Sequence, residues 1–65
     1  MANETYEIRC ATETTSWIET AKTADQAKSV ARRQNKEANL DSMAIYKITG
    51  VKGQAGYAEV KVWEM

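Results

Sequence analysis

Histidine and proline are absent from the chain, and cysteine occurs once, at position 10. Each absence removes a class of function. Without histidine a zinc centre of the usual kind lacks its commonest ligand, and the Cys10 thiol lacks the base that would activate it as a nucleophile. One cysteine cannot staple the fold with an internal disulfide. No apolar run is long enough to span a bilayer, and the amino-terminal stretch carries neither a basic start nor an apolar segment. The expected setting is the cytoplasm, without membrane contact. No proline, internal repeat, low-complexity tract or linker divides the sequence, so a single domain over residues 1–65 is expected.

Groups for catalysis are equally scarce. Glu7 and Glu19 can oppose each other across a hairpin, yet no apolar cleft is legible that would tune either for acid–base work. Cys10 falls on the expected core face, where a thiol is inert packing. No catalytic residue, metal or cofactor is expected, and the chain reads as a binding protein.

What is present is small and charged. At 65 residues and 7.3 kDa the chain has room for one thin hydrophobic layer. Ordering it costs about 1.5 kcal/mol per residue, which the burial available to so small a domain only just offsets. With disulfides and zinc set aside, self-association is the remaining means of support. Lysine and arginine number 9 against 9 aspartates and glutamates, so global attraction to nucleic acid is weak. The charges are nevertheless segregated. Glu4, Glu7, Glu13 and Glu19 against Arg9 leave residues 1–20 at net −3, whereas Lys22, Lys28, Arg32, Arg33 and Lys36 against Asp25 and Glu37 leave residues 21–38 at net +3.

Periodicity supplies the elements. Thr5 to Cys10 alternates, with Tyr6, Ile8 and Cys10 on one side and charges on the other, which is the pattern of a half-buried strand. A polar turn over Ala11 to Thr15 leads into a second short strand, Ser16 to Thr20. Thr23-Ala24-Asp25-Gln26 has the form of a capping box, in which the threonine hydroxyl accepts from the helix and the glutamine reaches back to the threonine N–H. Asp25 adds a favourable charge at that end. A helix is expected to about Ala38, with Ala24, Ala27, Val30, Ala31 and Ala38 on its buried side, Asn39 as a left-handed terminator and Leu40 folding back as an apolar plug. Ser42 to Thr49 and Tyr57 to Glu64 read as strands three and four. They flank a segment from Gly50 to Gly56 that holds all three glycines and predicts a long hairpin tip. The expectation is an α+β fold: a four-stranded antiparallel sheet, strand-strand-helix-strand-strand, with one helix across one face.

One helix shelters one side of such a sheet, so half of the strand residues must face elsewhere. Pairing the smaller aliphatic side chains with the helix puts Ile8, Ile18, Ala44, Ile48, Val60 and Val62 in the core, with Tyr6, Tyr46 and Cys10 alongside. The open face then holds Trp17, Met43, Ile45, Tyr57 and Trp63, interleaved with Arg9, Lys47, Glu59 and Lys61. A patch of that kind requires a cover. Three are considered: a second copy of the chain packed face to face as a homodimer, a different protein anchored on Trp17 and Trp63, or single-stranded nucleic acid stacked on the aromatics with Arg9, Lys47 and Lys61 at the phosphates. The expected contact residues on this face are Trp17, Ile45, Tyr57 and Trp63 with Lys47 and Lys61.

Two further motifs bear on function. The three-residue spacing of Gly50, Gly53 and Gly56 invites comparison with a phosphate-cradling loop, but such loops run into a helix amino terminus and here a strand follows. Lys28, Arg32 and Lys36 recur every four residues with Arg33 beside them, forming a basic ridge on the outward helix side that can meet phosphates or an acidic protein surface.

The stretch Ile18 to Ala31, with its Gln26-Ala27-Lys28, followed by a strand ending Tyr46-Lys47-Ile48-Thr49 and a last strand closing on Trp63, resembles small phage-encoded proteins of strand-strand-helix-strand-strand fold. Among these it is similar to anti-CRISPR inhibitors of type I surveillance complexes. The likeness covers about three-quarters of the chain and lies in a pattern, not in an invariant signature. The longer glycine-rich hairpin and the two open-face tryptophans depart from that pattern. The resemblance implies a phage or mobile-element accessory protein in the host cytoplasm that docks on a host protein or ribonucleoprotein complex and competes with target DNA, through positions matching Lys28, Arg32 and Lys36.

Overall fold

The computed structural model describes residues 4–65; the first three residues of the expected 1–65 domain lie outside the described residues. Five elements follow one another: β1 (Glu4–Ala11), β2 (Ser16–Ala21), α1 (Ala24–Glu37), β3 (Ser42–Thr49) and β4 (Ala58–Glu64). All strand pairs are antiparallel and the sheet order is β2-β1-β3-β4, so the expected α+β architecture stands. The molecule is a slab of 36 × 23 × 14 Å, one sheet and one helix deep.

Local chemistry sets the boundaries. Thr12 closes the first hairpin: its N–H donates to the Thr15 carbonyl at 2.8 Å, and its hydroxyl accepts from the Thr15 N–H at 3.2 Å. Thr23 caps α1, its side chain accepting from the Gln26 N–H at 3.2 Å. Gln26 reaches back, but to the N–H of Lys22 at 3.2 Å and not to that of Thr23, so the capping box is displaced by one residue. The helix ends at Glu37, and Ala38 leaves it in an extended conformation at φ −134°. The expected left-handed Asn39 is therefore corrected: among the described residues only glycines have positive φ. Leu40 does pack against the core. Gly50, at φ +79°, begins the β3–β4 connection, and a Cβ there would lie 3.0 Å from the Gly56 carbonyl oxygen, so the crossing of the hairpin's base requires glycine.

The register decides which side chains the helix covers. Directly paired residues share a sheet face. Cys10 pairs with Trp17 on one side and with Met43 on the other, and Ile8 pairs with Ile45. With Ile8 and Cys10 under the helix, Trp17, Met43 and Ile45 must be there too. The helix-side core is Ile8, Cys10, Ala21, Ala27, Ala31, Met43 and Ile45, with Tyr6, Trp17, Val30 and Leu40 packed against it. The expected partition of strands two and three is thus reversed; in β4 only Trp63 changes side, while Val60 and Val62 lie on the helix side as expected but are exposed there and not in the core. Ile18 is exposed on the open face, Ala44 and Tyr46 also face away from the helix, and Ile48, although buried, lies on that far side. Ala24 is exposed and Ala38 half-buried.

Volume explains the reversal. The helix presents Ala27 and Ala31 to the sheet, and close packing requires the facing layer to supply what alanines lack. Trp17, Met43 and Ile45 fill that space; small aliphatic side chains opposite alanines would have left it empty. Fully burying an isoleucine such as Ile8 contributes about 2 to 3 kcal/mol. Of the eight buried apolar residues among those described, three are alanine, so the core is thin.

Candidate binding groove

The helix packs on β1, β2 and, less extensively, β3, and does not reach β4. Its far flank and the β3–β4 ribbon therefore enclose a groove of about 600 Å³. Met43 and Ile45 form the floor with Tyr6, Val62 and Trp63 form the strand-side wall, and Ala24, Lys28, Ala31, Arg32 and Asn35 form the helix wall. A bulge shapes the strand side. Ile45 pairs with Trp63 and Tyr46 with Lys61, leaving Val62 as an extra residue that turns into the groove beside Trp63. Every residue of β4 is exposed; Val60 is 55%, Val62 50% and Trp63 44% accessible.

The groove joins an apolar floor to a cationic rim. Lys28 and Arg32 are exposed, one turn apart, and Asn35 continues the line at the next turn. Nothing in the side-chain hydrogen bonds or ion pairs of the described residues engages either cation.

The open sheet face has a different character. Glu7 accepts from Arg9 at 3.0 Å, and Arg9 also donates to Glu59 while lying over the Tyr46 ring, 3.9 Å from its centroid. The Tyr57 hydroxyl donates to Glu59 at 2.5 Å. Hydrogen bonds from Tyr57 and then from Arg9 hold the Glu59 carboxyl below the usual carboxylate range. The bond to Glu59 raises the Tyr57 phenol, and bonds to Glu59 and Glu7 raise the Arg9 guanidinium further above its already high value. Lys61 is bound to Glu64 at 2.7 Å, which raises its pKa. This is a satisfied ionic network.

The expected contact residues accordingly divide. Trp17 is corrected from the open face to the helix side, where its indole N–H donates to the side-chain Oε1 of Gln34 at 3.2 Å and the ring is packing. Ile45 and Trp63 are likewise on the helix side, but both belong to the groove. Lys47 is also on the helix side, paired with Tyr6 in the register and with Glu4 at 3.4 Å. Tyr57 and Lys61 remain on the open face within its ionic network. Of the basic ridge, Lys28 and Arg32 line the groove beside Trp63, whereas Arg33 and Lys36 are exposed away from it. The groove thus unites Ile45 and Trp63 of the six residues expected on the sheet face with Lys28 and Arg32 of the four on the basic ridge. Sequence reasoning missed Met43, Val62 and Asn35 as site residues. The spacing of positions 24, 28, 31 and 35 marks one helix flank and could have indicated Asn35; nothing in the sequence announces the bulge at Val62.

Cys10 is buried, its thiol pushed up by desolvation and then by the charge of Glu19. No cluster of metal-ligating side chains occurs among the described residues, and no helix there is long and apolar enough to cross a membrane. Comparison with family models, with curated proteins and with solved structures finds no match to the chain.

Proposed function

We propose that the chain acts by binding rather than by catalysis, as an accessory protein of phage or mobile-element type that docks on a host protein or ribonucleoprotein complex in the cytoplasm and modulates it. The observation that carries this reading is the groove: an apolar floor beside the half-exposed Trp63, with Lys28 and Arg32 unengaged along its rim. An apolar anchor in a pocket with a polar rim is the usual anatomy of a protein contact. The cations select an acidic element, and the resemblance to inhibitors of type I surveillance complexes supplies the kind of partner. Two of the three positions that the resemblance implies, Lys28 and Arg32, are the two on the groove. The buried, protonated Cys10 thiol and the tied Glu59 carboxylate support the absence of chemistry.

The test is target-DNA binding by purified type I surveillance complexes with and without the chain. Inhibition that disappears in Lys28→Glu/Arg32→Glu and persists in Arg33→Glu is the expected result. Failure of the wild-type chain to co-elute with, or inhibit, any complex in the panel contradicts the proposed partner. A half-exposed indole facing two cations across a groove also suits base stacking. Tryptophan quenching by a single-stranded oligonucleotide, lost steeply with salt and in Trp63→Ala, would transfer the groove to a nucleic-acid ligand.

A further inference from the structure

We infer that β4 is the pairing edge for a second copy of the chain, with two β4 strands joined antiparallel and Val60 opposite the partner's Val60. Strand β4 has a neighbour on one side only, so its outer backbone donors and acceptors are open to another strand. The opposite edge, β2, is blunted: Glu19 shares a face with Ile8 and so points a carboxylate to the helix side. Strand β4 instead carries Val60 and Val62 half-exposed on the helix side, beyond the reach of α1.

The sequence of β4 selects the register. Directly opposed residues of two antiparallel strands share a sheet face. Pairing Val60 with the partner's Val60 sets Glu59 against the partner's Lys61, and Lys61 against the partner's Glu59, so symmetry supplies two opposite-charge pairs on the open face. On the helix side Ala58 then meets the partner's Val62 twice. A register centred on Glu59 or on Lys61 would oppose like charges. One shifted by a single residue would place the two helices on opposite faces and separate the apolar strips. Glu59 already receives Arg9 on one oxygen and the Tyr57 hydroxyl on the other, and a carboxylate retains lone pairs for a further donor.

The product is an eight-stranded sheet with both helices on one side. Five strand spacings separate the two β1 strands beneath the helices, about 24 Å. The two grooves therefore become the halves of one trough walled by Lys28 and Arg32 of each copy. Pairing at β4 does not depend on what that trough binds, so it stands apart from the proposed function.

Sedimentation velocity over a wide concentration range, with circular dichroism to establish folding, tests the inference. The wild-type chain is expected to pass from monomer to dimer. Glu59→Lys and Lys61→Glu are each expected to weaken the dimer roughly tenfold or more, because both pairs become repulsive. An equimolar mixture of the two folded variants is expected to recover it as a heterodimer, in which both pairs are again opposite in sign. Arg32→Glu, which alters only the groove wall, is expected to leave the dimer unchanged. A wild-type monomer at every concentration overturns the inference, as does a mixture that stays monomeric.

Discussion

Glu59 serves two donors at once, Arg9 on one carboxylate oxygen and the Tyr57 hydroxyl on the other. Both bonds favour the ionised form, so the carboxyl titrates lower in the folded chain than in the unfolded one. A group depressed in this way adds stability above its unfolded pKa and loses it as pH falls through the folded value. The unfolded chain then binds the extra proton, and the loss begins near pH 4, about the ordinary glutamate value. In Glu59→Gln, urea midpoints measured against pH are expected to fall less steeply on the acid limb than in wild type. An unchanged acid limb would remove Glu59 from the linkage. Residues of this kind were partly legible. Arg9, Glu59 and Lys61 alternate with apolar neighbours, and that placed them correctly on the face away from the helix. Their mutual bonds were not legible, since they span 50 residues of chain from Arg9 to Glu59.

At the scale of elements, local signals carried most of the information. The Thr23 cap, the alternation of β1 and the bounds of β3 were readable because each depends on neighbours a few residues away. The facing of β2 and β3 was not readable, because both strands are apolar on both parities. Trp17 alternates with Ile18, and Met43 and Ile45 alternate with Ala44, Tyr46 and Ile48. Period-two patterning gives no preference there, and only the pairing of Cys10 with Trp17 and Met43 breaks the tie. The two tryptophans thereby acquire different duties. Trp17 joins β2 to α1 through Gln34, while Trp63 stands at the groove on the strand the helix does not reach. Urea unfolding followed by circular dichroism is expected to show Trp17→Ala destabilised by about 2 kcal/mol, below the range for a fully buried aromatic because Trp17 is half-buried at the margin of the core. Trp63→Ala is expected to lose less than about 1 kcal/mol, as an exposed position does. Equal losses would mean that the helix covers β4 as well as β2.

At the scale of the whole molecule, neutral net charge conceals a division of labour between two faces. The open face is closed chemically by ion pairs, and the helix side is left incomplete because a helix seated over β1 and β2 cannot also cover β4. The contiguous uncovered apolar surface, Val62 and Trp63 over Met43 and Ile45, is therefore beside the helix, among its cations, while the back of the sheet exposes Ile18 singly. Titration of 15N-labelled protein with anilinonaphthalene sulfonate, an apolar anion, locates that surface without requiring the partner. The account predicts amide shifts at Lys28, Arg32, Met43, Ile45 and Trp63, with the dye's fluorescence gain lost in Trp63→Asp and retained in Ile18→Asp. Shifts centred on Arg9, Ile18 and Tyr46, with the gain lost in Ile18→Asp, would contradict it and return the contact surface to the open sheet.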